Sequence, residues 1–335
     1  MRIGAFPIAL LLVVAAATAG ARPQERSDFR SGVELINVAA WVTDRNGQFV
    51  SGLHKEDFAV FEDGEQQEVA YFSSERVPVS LGLVLDASGS MTPDKMLAAR
   101  SAIDRLVHDL LGADDELFFL EFANRPELVQ GWTTDRGAIS SAVARVRPAG
   151  GTAMYDAVAD AMPMASIGKH PKKAILVISD GNDTNSRVEI GELRQTLRES
   201  EVLVYALGVD STAVLTRTQP RVRTPFPGSP FPLPGRRPQR PTPPIFGRGG
   251  RTQTSERVDA EALRRMTDDS GGRTEIVRGF GDLASATARI ADELSKQYYL
   301  GYASPGKKDG RWHEIRVEAK GRGLTVRARR GYVAS

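Results

Sequence analysis

Two different polar–apolar rhythms run along the chain and divide it into three stretches. Between about residues 30 and 76 apolar and polar positions alternate, as in VELINVAAWV and FAVFEDGEQQEVAYF, with Asn46-Gly47 and Asp63-Gly64 placed where tight turns reverse a strand. This predicts a small N-terminal β segment. From Val79 the rhythm changes. VSLGLVLD is an unbroken apolar run of the kind buried on both faces of a parallel sheet. Thr92-Pro93-Asp94 then supplies an N-cap, a proline at the first helical position and an acidic first turn. The helix that follows places Met96, Ile103, Leu106, Val107 and Leu110 on one side. ELFFLEF (116–122), KAILVIS (173–179) and VLVYALGV (202–209) repeat the strand signature, and a short strand pair is expected from Pro126 to Trp132. Helices are expected near 135–146, 153–167, 188–199, 259–267 and 281–297. Such alternation predicts an α/β fold with a doubly wound, mainly parallel sheet over 77–297. The period of two returns over 298–335 in YYLGYAS, RWHEIRVEAK and LTVRARRGYVA. Because β segments flank the α/β unit at both ends, we expect them to pair into one small β-sandwich that carries the α/β domain as an insertion.

One stretch has no rhythm. Residues 210–258 are dense in Pro, Gly, Arg and Thr with almost no acid, so they bury no core and are expected to be disordered or partly polyproline II. Their basic part, 217–257, offers contact with polyanions, yet it lacks the interleaved aromatics of a nucleic-acid binder beyond Phe226, Phe231 and Phe246. The net charge of +2 therefore hides an uneven distribution and gives no case for nucleic-acid binding. Residues 1–21 combine an early Arg, an apolar run from about Phe6 to Ala17 and small residues at Ala17-Thr18-Ala19 and Ala19-Gly20-Ala21, which is the pattern of a cleaved secretory signal. No later run is long enough to span a bilayer. The expected location is secreted or periplasmic.

Composition removes several chemistries. There is no cysteine among the 335 residues, so disulfides, thiol nucleophiles and cysteine-ligated zinc are excluded. The four histidines, His54, His108, His170 and His313, stand at no ligand-like spacing, and residues 33–76 hold no visible cluster of ligands, so both are assigned to packing and surface.

The chemistry that does stand out lies at the end of the first parallel strand. Asp86, Ser88 and Ser90 put oxygen-bearing side chains at alternate positions of the following loop. In an open α/β sheet, ligands bind outside the carboxyl ends of the strands, near the switch in strand order. Two more oxygen-rich loops could reach that edge: Gly150-Gly151-Thr152 and Ser179-Asp180-Gly181-Asn182-Asp183. Two carboxylates and three hydroxyls are hard ligands that suit Mg²⁺, Mn²⁺ or Ca²⁺. Hydroxyls hold such an ion without neutralising it, which leaves it able to take a carboxylate from outside.

This combination resembles the metal-ion-dependent adhesion site of von Willebrand factor type A domains, in an Asp86-x-Ser88-x-Ser90 loop, a GGT loop with Thr152 and an SDG loop with Asp180. The resemblance covers roughly Val77 to Ser295. It implies that Ser88, Ser90 and, in a ligand-competent state, Thr152 bind the metal directly, while Asp86 and Asp180 act through water. Gly89 would permit the tight loop, Gly151 and Gly181 would shape theirs, and Asp183 would be a surface residue or a support to the ligands. The flanks VTDRNGQFVSGLHKEDFAVFEDGEQQEVAYFS and YYLGY…DGRWHEIRVEAKGRGLTVRARRGYVA are similar to exported bacterial proteins called VWFA-related, common in Acidobacteria.

The resemblance implies a non-enzymatic protein-binding or adhesion module that captures an Asp or Glu of a partner through the ion. Two other functions remain. Asp86 after a first strand and SDGND after a later one also suit a Mg²⁺-dependent phosphatase of the haloacid-dehalogenase type. That chemistry needs a second acid two residues after the first, and Ser88 stands there. Alternatively the ion only clips three loops together in a structural scaffold.

Overall fold

The computed structural model describes residues 34–209, 258–277, 280–304 and 309–334. The expected signal at 1–21 and all but the last residue of the expected 210–258 insertion lie outside them.

The N-terminal stretch forms β1 (Glu34–Thr43), β2 (Phe58–Glu62), β3 (Glu65–Gln67) and β4 (Val69–Ser73). Asp63 and Gly64, both at positive φ (51° and 85°), make the tight turn between β2 and β3. The α/β unit follows as β5 (Val79–Asp86), α1 (Pro93–Arg105), β6 (Glu116–Phe122), β7 (Pro126–Thr133), α2 (Arg136–Arg145), α3 (Met154–Ser166), β8 (Lys172–Ser179), α4 (Ile190–Glu199), β9 (Leu203–Val209), α5 (Ala260–Ser270), β10 (Thr274–Val277) and α6 (Phe280–Lys296). Four strands close the chain: β11 (Tyr298–Ser304), β12 (Trp312–Ala319), β13 (Thr325–Arg327) and β14 (Gly331–Val333).

The central sheet has the order β10-β9-β8-β5-β6-β7, parallel except for β7. All eight residues of β5 are buried, because helices cover both of its faces. On one side Leu81, Leu83 and Leu85 meet α1, α2 and α6; on the other Val84 and its neighbours meet α3, α4 and α5. At about 1.5–3 kcal/mol for each fully buried aliphatic side chain, these two layers hold the strand against displacement. The chain runs from β5 to β6 on one side and returns to β8 on the other. The loops after β5 and β8 therefore diverge and leave a crevice at the carboxyl edge.

The two ends of the chain form two four-stranded antiparallel sheets, β13-β1-β11-β4 and β14-β12-β2-β3. Ile36, Val38 and Val42 of the first and Phe58, Val60 and Ile315 of the second share one core, so the sheets are the layers of a sandwich. It grips the α/β unit through a buried network. Glu293 on α6 is fully buried, accepts from Tyr205 Oη at 3.1 Å, and is paired with Arg327 of β13.

Three local expectations need correction. The strand pair expected around Pro126–Trp132 is a single strand, β7, turned antiparallel on β6. The run after Asp63-Gly64 breaks at Glu68 into β3 and β4, which belong to different sheets. LTVRARRGYVA likewise splits into β13 and β14. At both breaks the chain crosses between sandwich layers, a tertiary demand that local alternation does not record. The short edge strand β10 was not expected, since four residues give too little pattern.

Candidate metal centre

Asp86 is the last residue of β5 and has no exposed surface. One carboxylate oxygen accepts from the Ser88 N–H at 2.8 Å, the other from the Ser179 hydroxyl at 2.6 Å. Burial pushes its carboxyl up to about 6, and the charge of Asp180 adds to this, against the opposing hydrogen bonds from Ser179 and Ser88. A carboxylate so placed favours a nearby cation. With both oxygens already occupied, it suits action through an intervening water.

Ser88 is buried and Ser90 exposed, and their hydroxyl oxygens lie 2.9 Å apart. An octahedral Mg²⁺ with bonds of about 2.1 Å has adjacent ligand oxygens about 3 Å apart. The two hydroxyls therefore already have the spacing of neighbouring ligands, and the donor set fits a hard divalent ion.

Backbone bonds hold the three loops together. Gly89 N–H donates to Gly150 O at 3.0 Å, and Ala149 N–H to Ala87 O at 2.8 Å. A Cβ on Gly89 would stand 3.3 Å from that Gly150 oxygen, a tight contact that would push the first two loops slightly apart. Gly150 has φ +84°, and a side chain there would strike Asn124. Asn124 Oδ1 accepts the Gly151 N–H at 2.7 Å. A Cβ on Gly151 would collide with Asn185 Oδ1. Thr152 is buried, and its carbonyl accepts the N–H groups of Thr184 and Asn185 at 2.9 and 3.0 Å, which ties the GGT loop to the third. In that loop Gly181 takes φ +91° against Val258 and Asp259. Asp183 lies away from a ligand role: it accepts the Tyr155 N–H at 3.0 Å and the Ser186 hydroxyl at 2.6 Å, fastening the start of α3 to its own loop.

Asp180 is buried and pairs with Lys95 Nζ at 2.9 Å. Sequence reasoning missed Lys95, although a cation in the first turn of a helix opposes the macrodipole and so signals a local anion. Asn124 and Ser179 were missed as well. Ser179 sits inside the quoted SDG loop but was given no role, whereas Asn124 has no local signature.

Residues 81–182 match the family model of the von Willebrand factor type A domain. The stretch from β5 to the loop after β8 is thus of the von Willebrand factor type A kind. An uncharacterized protein of Synechocystis sp. is 30% identical over 137 residues, 40% of this chain and 32% of that protein. The inter-alpha-trypsin inhibitor heavy chain H2 of Sus scrofa is 22% identical over 152 residues, 41% of this chain and 16% of that one. The chain thus spans a third or less of the length of these curated relatives. Among solved structures, the conserved hypothetical protein BatB of Bacteroides thetaiotaomicron is 23% identical, with 64% of this chain and 97% of that one covered at a TM-score of 0.46. Proximal thread matrix protein 1 of the mussel byssus, solved with a zinc-occupied MIDAS motif, is 14% identical, with 75% and 50% covered at a TM-score of 0.48.

A phosphatase of the haloacid-dehalogenase type would need an acid two residues after Asp86. The position two after Asp86 is the Ser88 hydroxyl, facing Ser90, and it offers no acid for proton transfer. Among the described residues no helix is long and apolar enough to cross a membrane.

Proposed function

We propose that this type A domain is a binding module without catalysis, which captures an Asp or Glu of a protein partner through a divalent cation, Mg²⁺, Mn²⁺ or Ca²⁺. Ser88, Ser90 and Thr152 would hold the ion directly, and Asp86 and Asp180 through water. When bound, the ion supplies a Lewis-acidic position that a carboxylate can fill. The pairing of Asp180 with Lys95 carries this reading. With one of the two carboxylates already matched by an ammonium, the loops neutralise little of the ion's charge and leave it attractive to an outside acid. The leader-like pattern at 1–21 supports a site of action outside the cytoplasm.

The test uses Mn²⁺ as a paramagnetic probe on the full chain. Bound Mn²⁺ is expected to enhance water-proton relaxation, and a peptide carrying a single Asp is expected to lower that enhancement by displacing a bound water, whereas the Asn counterpart leaves it unchanged. Asp86→Ala should abolish the peptide-sensitive part of the enhancement. If Mn²⁺ binds but neither peptide alters relaxation, the ion is a clip between loops. If no Mn²⁺ binds, the adhesion-site mechanism is lost altogether.

A further inference from the structure

On the sandwich, remote in sequence from these loops, His313 of β12 is 4% exposed and lies between carboxylates contributed by both chain ends. Its Nδ1 is 2.7 Å from Asp63 Oδ2 and 3.9 Å from Glu62 Oε1, while its Nε2 is 3.1 Å from Asp309 Oδ1. Among the described residues this is the group in which three such donors, from Glu62, Asp63 and His313, come within 4.8 Å of one another.

A second observation comes from Glu62. The residue is only 3% exposed, its Oε1 accepts the Ser304 hydroxyl at 3.2 Å, and its Oε2 is buried with no hydrogen-bond donor. The Tyr302 phenol neighbours this carboxylate, and burial followed by the contact with Glu62 pushes its ionisation well up, so it stays protonated beside the carboxylate. A buried carboxylate with an unmet oxygen is costly unless a cation is near.

We propose that Glu62, Asp63 and His313 form a second divalent-metal site, distinct from the loop site and of the zinc type, with Asp309 as a positioning residue. Ligand bonds of about 2.0–2.1 Å around a tetrahedral ion put donor atoms about 3.3 Å apart. The observed gaps from Nδ1 of 2.7 and 3.9 Å straddle that value, and all three donors lie within 4.8 Å of one another. With an ion in place of the Nδ1 proton, the hydrogen bond from Nε2–H to Asp309 would hold the ring in the arrangement that orients metal-bound imidazoles. One imidazole nitrogen with two carboxylate oxygens favours zinc and its first-row neighbours over the magnesium suited to the loops. The Asp63 and Asp309 side chains are 42% and 34% exposed, which gives the ion a path and leaves a fourth position for water. Because Glu62 and Asp63 come from β2 and its turn, the ion would staple the N-terminal strands to β12.

The test is a Co²⁺ titration of the full chain in excess Mg²⁺, followed by visible absorption. One Co²⁺ per chain with the intense bands of four-coordinate cobalt, bleached by Zn²⁺, is expected; cobalt in the oxygen-only loops would give only weak octahedral bands. His313→Asn should remove the intense bands, and Asp309→Asn should weaken Co²⁺ binding about 10–100-fold. Absence of intense bands in the parent chain, or their survival in His313→Asn, overturns the proposal. Should His313→Asn fail to fold by circular dichroism, the parent spectrum and the Asp309→Asn titration decide it.

Discussion

The Lys95 ammonium lies 2.9 Å from Asp180 Oδ2 and donates to the Ser90 carbonyl at 3.0 Å, so one buried cation bridges the first and third loops of the candidate metal centre. Both side chains are nearly excluded from water, at 2% and 6% exposure. A pair held in this way stabilises less by its own attraction than by the cost of breaking it.

Lys95→Met removes the cation and keeps the bulk. In chelator the variant is expected to lose about 3–5 kcal/mol of unfolding free energy, since Asp180 is left as a buried charge without its partner. Added Mg²⁺ is expected to restore more stability to the variant than to the parent, because a divalent ion can take over the role of the ammonium. Denaturant unfolding with and without Mg²⁺ reads both effects; equal Mg²⁺ responses in the two proteins would contradict the coupling.

Gly271 closes α5 in the left-handed region at φ +84°, directly beneath the chain between β13 and β14. A Cβ there would stand 2.6 Å from Arg329 N and 2.8 Å from Ala328 C. Both obstacles are backbone and cannot swing aside. Gly271→Ala is expected to cost more than the roughly 1 kcal/mol of left-handed strain alone. Thermal unfolding checks this, and a control Gly191→Ala, which meets nothing within 4 Å, should leave stability nearly unchanged or slightly raised.

Lys172 opens β8 and donates to Leu294 O at 2.8 Å. Burial first, and then the charge of Arg76, bring its ammonium down to about 8, against the pull of Asp115. The unfolded chain holds that proton to about 10.5. Below pH 8 both states are charged and the contribution is flat. Between the two values the unfolded state binds the proton more strongly, so stability rises with pH, by on the order of 3 kcal/mol across the window. Lys172→Met should lack this rise. Measured as the difference between the two proteins from pH 7 to 10, the effect is insensitive to tyrosines that titrate in both; a flat difference would contradict the shift.

The helices and parallel strands were legible because their apolar periods are long and unmixed, as in β5, where every residue faces a helix layer. Asp86, Ser88, Ser90, Thr152 and Asp180 could be picked out because oxygen donors at short spacing follow strands or precede helices, and the structure gathers their loops at one edge. What supports them was less visible. Lys95 meets Asp180 across 85 residues, and Asn124 meets Gly151 across 27, neither with a local pattern to announce it. His313 and Asp63 are 250 residues apart, which is why a histidine assigned to packing and a β segment assigned to spacing converge unannounced. The strand breaks at Glu68 and between β13 and β14 were hidden for a related reason: alternation says which face a residue takes, not which sheet the face belongs to.

Among the described residues, the partner strands of β1 are β11 and β13, and that of β4 is β11. During synthesis these strands emerge long before their partner strands, and they wait while the whole α/β unit is made and can fold. Tyr298 Oη meets the N–H of Leu53 only after 245 further residues have been added. Strands made before the α/β unit are thus completed only after it, with open edges meanwhile exposed to any extended chain nearby.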